Sequence, residues 1–412
     1  MKKHLYWLLS IVVLISGCSD SNSGGGDEPR CTFPIQTLTR DQQVMTDSAN
    51  HFAFNFLKTL NSTTEDPNYF VSPVSASLLL SMITNGAVGE TKDEIKSVLG
   101  LSPYTQGDVN AFCRALVSNL LNTDKDVTVN IANSVWINKT YEIKQQFKDS
   151  VKNNYEAGLN VCDFSQNDLT ANTINSWCSD HTNGHIKDMF SASDIDGSVA
   201  MILVNALYFK AKWANAFDSD LTVNDNFTNE DGSVSSVKMM NKQLTASYVK
   251  NNDFTVVELP YGEGGYSMVI ALPDSQLSQL DAANRISSDT WKQWMGTLGT
   301  QTINLQMPKF QMDYSCNMNS ILFLMGMKNA LTRFADYSDI GKDVHINLIK
   351  QKTYLNIDED GTEAAAITSG SLDTSPGPAS NVVDMKINHP FFFFIKEKRT
   401  GAILFEGRIN KL

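Results

Sequence analysis

The chain has 412 residues, 42% of them apolar and 19% charged, with a net charge of −12 at neutral pH. That apolar share is enough for a large core, and with no proline-, glycine- or serine-rich linker after residue 30 it points to one large domain. The acidic balance, with no lysine or arginine cluster, argues against a nucleic-acid surface.

Met1-Lys-Lys-His followed by the apolar run Leu5 to Ile15 reads as an export signal too short to span a bilayer. Ile15-Ser-Gly-Cys18 resembles a bacterial lipobox, which implies loss of residues 1–17 and lipidation of Cys18; the alternative is an ordinary signal peptide with a chance cysteine. Residues 18–45 then read as a hydrophilic tether and 46–412 as the folded domain, held by its lipid at a bacterial outer membrane or cell surface. Five cysteines follow Cys18: Cys31, Cys113, Cys162, Cys178 and Cys316. Their odd number and irregular spacing predict mostly buried thiols, with a Cys162–Cys178 bridge as the open alternative.

Along the domain, Asp47 to Leu60 carries phenylalanines and leucines at helical spacing. Ser72 suits the cap, and Pro73 the first turn, of a helix running to Ile83. Thr91 to Gly100, Asp108 to Leu121 and Phe147 to Tyr155 read as further helices, the first capped by Thr91. Val127 to Ile137 alternates like a half-buried strand, whereas Val199 to Trp213 is an almost continuous apolar run, the pattern of a strand buried on both faces. Asn172 to Lys187 reads as a helix and the turn after it; its Cys178, His181 and His185 fall at helical spacing, but Gly184 interrupts them and no fourth ligand appears, so no metal is expected. Val237–Met240, Val256–Tyr261 and Ser267–Asp274 are strands of a second sheet, and Leu305–Phe310 is another strand. His389–Ile395 and Gly401–Arg408 form a buried hairpin.

Before that hairpin, Tyr354 to Ile357 begins a strand that passes through Gly361 into mostly small residues, with Ile367 on the opposite face as the one large apolar side chain before Leu372. At period two, Thr362, Ala364, Ala366 and Thr368 share one face, and no proline interrupts before Pro376. A segment of this kind is able to enter the middle of a sheet.

Glu359-Asp-Gly-Thr-Glu-Ala-Ala-Ala366 resembles the hinge of the serpins, the serine protease inhibitors that trap a target by inserting a cleaved loop. The resemblance extends from about Ser48 to the end, through Asn68–Ser75, Val204-Asn-Ala with Tyr208-Phe-Lys and Trp213, Pro308-Lys-Phe310 and the C-terminal hairpin. It implies an α+β fold with three β-sheets, eight to nine helices and an exposed reactive-centre loop at about 361–384. It also implies that Glu359, Gly361, Thr362, Glu363, Ala364, Ala365 and Ala366 act as the hinge. Ser72, Ser75 and Asn205 would lie at the shutter, where the main sheet parts, and Trp213 at the breach, where insertion begins; Lys309 is a candidate partner for Glu359. The sequence departs from the family at Gln351, where serpins carry a histidine. Gln351 can bond Asn205 but cannot titrate.

The implied function is irreversible, single-use inhibition of serine proteases, with papain-like cysteine proteases as a second target class and no cofactor. The alternative is a tethered serpin-fold binding or carrier protein. The family's spacing puts the cut after Ser375, but Pro376 follows, so the bond Thr374–Ser375 is preferred, with Ser375–Pro376, Leu372–Asp373 and Ala379–Ser380 kept open. No arginine or lysine lies between Gly361 and Asp384, which favours elastase-like or subtilisin-like targets over trypsin-like ones. The protein is expected to be a monomer. No enzyme site competes with this reading, since Gly265-Tyr-Ser267 lacks the second glycine of a nucleophile elbow.

Overall fold

The computed structural model describes residues 35–362 and 382–412, all within one unit of 31–412. Helix α1 (Arg40–Thr63) starts at a reciprocal cap: the Thr39 hydroxyl accepts from the Gln42 N–H, and the Gln42 side chain accepts from the Thr39 N–H. The expected tether therefore ends earlier than residue 45, because this cap makes 40–45 helical and Met45 is already buried. Strand β1 (Tyr69–Val71) leads into α2 (Pro73–Ile83), capped by Ser72 and buried at every residue. Helix α3 (Gly89–Val98) corrects the expected cap. Its N-cap is Val88, without a side-chain bond, because the Thr91 hydroxyl is taken by a tertiary contact with the Asp336 N–H at 2.8 Å.

Next come α4 (Gln106–Asn122), β2 (Val127–Asn138), α5 (Gln145–Tyr155), β3 (Gly158–Cys162), α6 (Asn167–His181) and β4 (Met201–Lys212). Strands β5 (Val223–Thr228), β6 (Val234–Lys250), β7 (Phe254–Tyr261) and β8 (Tyr266–Pro273) are followed by α7 (Gln279–Arg285) and α8 (Ser288–Thr297). The chain continues as β9 (Gly299–Pro308), β10 (Phe310–Asn317), α9 (Asn319–Met325), β11 (Ile346–Ile357) and β12 (Gly361–Thr362). It ends with β13 (Val383–Lys386), β14 (Phe391–Glu397) and β15 (Ile403–Ile409). Among the described residues there are nine α-helices.

A six-stranded sheet has the order β10-β11-β12-β4-β2-β3, with β11 also pairing directly with β4. The remaining strands form one nine-stranded ladder, β1-β15-β14-β8-β7-β6-β9-β13, with β5 on β6. Two of the three expected sheets are thus continuous, because the 17-residue β6 is long enough to serve both: its first part pairs β5 and its last residues pair β7. The main core lies between the two ladders around α2, where Phe209 of β4 meets Phe405 of β15. A second core, with Trp136, Ile174, Cys178, Ile186, Ile202 and Val204, packs α6 on the opposite face of the six-stranded sheet. That cover explains why β4 is apolar on both faces, and why β2 is buried on both from Ala132 onward rather than alternating to its end. Cys113, Cys162, Cys178 and Cys316 are free thiols, so the Cys162–Cys178 bridge is not formed.

Candidate functional site at the seam of the six-stranded sheet

Strands β4 and β11 run parallel through eight registered pairs, from Met201 with Ile346 to Tyr208 with Tyr354. Above that rung they diverge. β11 turns through a short hairpin, in which the Asp358 carboxylate accepts from the N–H groups of Asp360 and Gly361, and comes back as β12. β12 lies between the two strands, antiparallel to both: Thr362 is opposite Ile357 on one side and Ala211 on the other. Gly361 has φ +149° and a Cβ there would sit 2.1 Å from the Ala211 carbonyl oxygen, so only glycine lets the chain enter this gap. The side chain of Thr362 is fully buried and shares a 2.7 Å hydrogen bond with the Tyr261 hydroxyl. The expected loop bounds of 361–384 are corrected accordingly. Gly361 and Thr362 are sheet residues, and Val383 and Asp384 pair with β9 as part of β13. Ladder bonds at both ends take backbone that small side chains alone would leave as loop.

The turn is held from three sides. Trp213 donates its ring N–H to the Asp358 carbonyl and its backbone N–H to the Asp360 carbonyl, each at 2.9 Å, while its ring stacks on Tyr261 at 4.4 Å. Glu359 accepts from Lys309 at 2.6 Å and from the Thr222 hydroxyl at 2.7 Å. Burial opposes ionisation of Glu359, but the bonds from Lys309 and Thr222 outweigh it and hold the carboxyl below its usual range. Burial pushes the neighbouring Asp358 carboxyl upward.

Lower in the seam, three amides lie side by side on adjacent strands: Asn133 of β2 opposite Asn205 of β4, and Asn205 opposite Gln351 of β11. Gln351 donates to the Asn205 carbonyl oxygen at 2.5 Å and to the Ser72 carbonyl, and its own oxygen accepts from the Ser72 N–H at 2.8 Å. Asn205 donates to the Asn133 oxygen and to the Ser75 hydroxyl, and the Ser72 hydroxyl donates to the Leu404 carbonyl at 2.6 Å. Ser72, Ser75, Asn205 and Gln351 therefore meet in one buried network that ties the sheet to the start of α2.

Two members escaped sequence reasoning. Asn133 is the polar residue on an otherwise Val127, Val129, Ile131, Val135, Ile137 face, and that break in the pattern was its signal. Tyr261 gave none, since a tyrosine ending an apolar strand is ordinary. Cys178, His181 and His185 do not gather into a metal-holding group among the described residues. Cys178 packs in the α6 core, and His181 stacks on Trp177. Glu363, Ala364, Ala365, Ala366, all four candidate bonds and Cys18 lie outside the described residues.

The profile of the family described as "Serpin (serine protease inhibitor)" matches residues 47–412. Human Serpin B11 is 32% identical over 381 residues, covering 87% of this chain and 97% of that protein. The crystal structure of the thermophilic serpin tengpin in its native state superposes with a TM-score of 0.84 at 28% identity, covering 92% and 97% of the two chains. Human thyroxine-binding globulin, solved as a complex with thyroxine, gives 0.83 at 28% identity over 90% and 99%. With the profile spanning nearly the whole described fold, the chain belongs to the serpin family.

Proposed function

We propose that the protein is a single-use inhibitor of serine proteases, with papain-like cysteine proteases as a second target class. The observation that carries this reading is β12: the residue that opens the small-side-chain face, Thr362, already occupies the gap between β4 and β11 with its side chain in the core. In the proposed reaction the target's serine oxygen attacks the carbonyl of Thr374, the amine of Ser375 leaves with a proton, and an ester joins protease to inhibitor. The freed segment then extends β12 downward, separating β4 from β11 and replacing their one ladder by two. A net gain of about ten ladder bonds at about 1 kcal/mol each is on the order of 10 kcal/mol. That is comparable to the stability of a protease domain, about 5–15 kcal/mol, so dragging the target along can distort it before water hydrolyses the ester.

Elastase-like and subtilisin-like enzymes are the proposed targets, because no basic residue lies between Gly361 and Asp384. Incubation with such a panel should give an SDS-stable complex, and sequencing the released peptide fixes the bond. Nicking the loop should also raise the heat resistance of the chain by tens of degrees. A panel without any complex, together with unchanged heat resistance, would instead identify a serpin-fold binding protein. We further propose a lipid anchor at Cys18 holding the inhibitor at a bacterial outer membrane or cell surface; Cys18→Ser should then move it from the membrane to the soluble fraction.

A further inference from the structure

The segment after α6 lies along the outer face of β11 and holds three successive outward side chains of that strand. Lys350 lies 4.8 Å from the centre of the Phe190 ring, Lys352 donates to Asp188 at 2.6 Å, and Tyr354 stacks on His185 with ring centres 4.8 Å apart. The segment is itself fixed to α6: the Asn175 amide exchanges two 2.8 Å hydrogen bonds with the backbone of Phe190, and Ile186 and Met189 are buried.

His185 differs from the other two in reaching both strands. Its ring also stacks on Tyr208 of β4, at 5.0 Å and 10° between planes. Tyr208 and Tyr354 are the last registered pair of the β4–β11 ladder, and β12 enters the gap just beyond them, where Thr362 pairs with Ala211. The imidazole therefore covers the first rung that must part if β12 is to lengthen.

We propose that His185 is a positioning residue that sets the rate of strand insertion, by clasping Tyr208 and Tyr354 across the point where the sheet forks. The inference rests on the insertion reading above. Separating the two tyrosines forces the imidazole to give up at least one stacked partner, and aromatic pairs of this geometry carry a preference beyond the area they bury. The strand that leaves also takes Lys352 from Asp188 and Lys350 from Phe190, but those contacts touch β11 alone. Of these three contacts, the one made by His185 spans both strands, as the Gln351–Asn205 bond does lower in the seam.

The test uses the intact chain and a synthetic peptide with the sequence Thr362–Ser375, so it needs no protease. Annealing of the peptide is followed by native gel shift and by the rise in unfolding temperature. His185→Ala should anneal about three- to tenfold faster than the parent chain, the factor that loss of stacking predicts. His185→Phe, which keeps a ring in place, should return the rate to the parent value. Tyr354→Leu should match His185→Ala, and the double variant should gain little more, because both remove the same interaction. Equal rates for the parent and His185→Ala overturn the inference while leaving insertion intact; so does a His185→Phe variant as fast as His185→Ala. If the parent and all variants refuse the peptide, the sheet does not accept a strand, and the inhibitor reading falls together with this one.

Discussion

Thr362→Arg is the substitution that most directly probes the seam. The threonine side chain is fully buried, is hydrogen-bonded to Tyr261 at 2.7 Å, and sits where Trp213 stacks on that tyrosine. Replacement by arginine removes that bond, about 1 kcal/mol, and asks a guanidinium to enter the core beside Tyr261, a cost of several kcal/mol. Taking about 4 kcal/mol against seating the strand, insertion slows by about a thousandfold, because each 1.4 kcal/mol is about a factor of ten in rate. Deacylation then wins, and the protease leaves active with a cleaved chain behind it. The assay is the yield of SDS-stable complex per chain consumed, with Thr362→Val as the control that loses only the hydrogen bond. Complex yields that are the same for the arginine variant and the parent would refute the argument that Thr362 must stay in the core.

Three further outcomes follow from the same contacts. Gly361→Ala should expel β12, since its Cβ cannot approach the Ala211 carbonyl, and the freed Trp213 should report this as a change in tryptophan fluorescence; an unchanged spectrum counts against it. Gln351→His should add to the parent's pH profile a component of opposite sign: the ring nitrogen accepting from the Ser72 N–H must be unprotonated in the fold, so its folded pKa lies below the ordinary histidine value and stability should be lost as pH falls below about 6.5, read as the difference in urea midpoints from the parent between pH 5 and 8. Glu406 is fully buried, neither carboxyl oxygen has a hydrogen-bond partner among the described residues, and burial holds its pKa well above 4.5. Its folded pKa exceeds the unfolded one, so stability should fall as pH rises from about 4.5 toward the folded value. Glu406→Gln should flatten that slope in the same urea series, and a slope left unaltered would assign it to other groups.

Much of the seam was legible before any fold was known. The run Val199–Trp213 announced a strand covered on both sides because continuous apolarity has no other use in a soluble sheet, and Ser72 with Pro73 announced a helix start because capping chemistry is local. Of the expected hinge, the structure describes Gly361 and Thr362 after Glu359; the φ-permissive glycine was legible as a property of the residue itself, and residues 363–366 lie outside the described residues. Thr91 shows where local logic fails, since a hydroxyl suited to a helix cap is taken by Asp336, 245 positions away. Asn133 was half legible, as a polar break in an apolar face, while its partners on two other strands were not.

Read alone, the chain indicated the strand buried on both faces at Val199–Trp213, the helix begun by Ser72 and Pro73, the apolar C-terminal hairpin, and that Gln351 brings no titratable group to the network. Tertiary structure alone decided that Thr362 is already inside the sheet, that Tyr261 receives it, and that His185 closes over Tyr208 and Tyr354. The division is physical. Period, capping and side-chain volume act within a few residues, whereas strand register and ring stacking join positions whose separation along the chain carries no information about their distance in space.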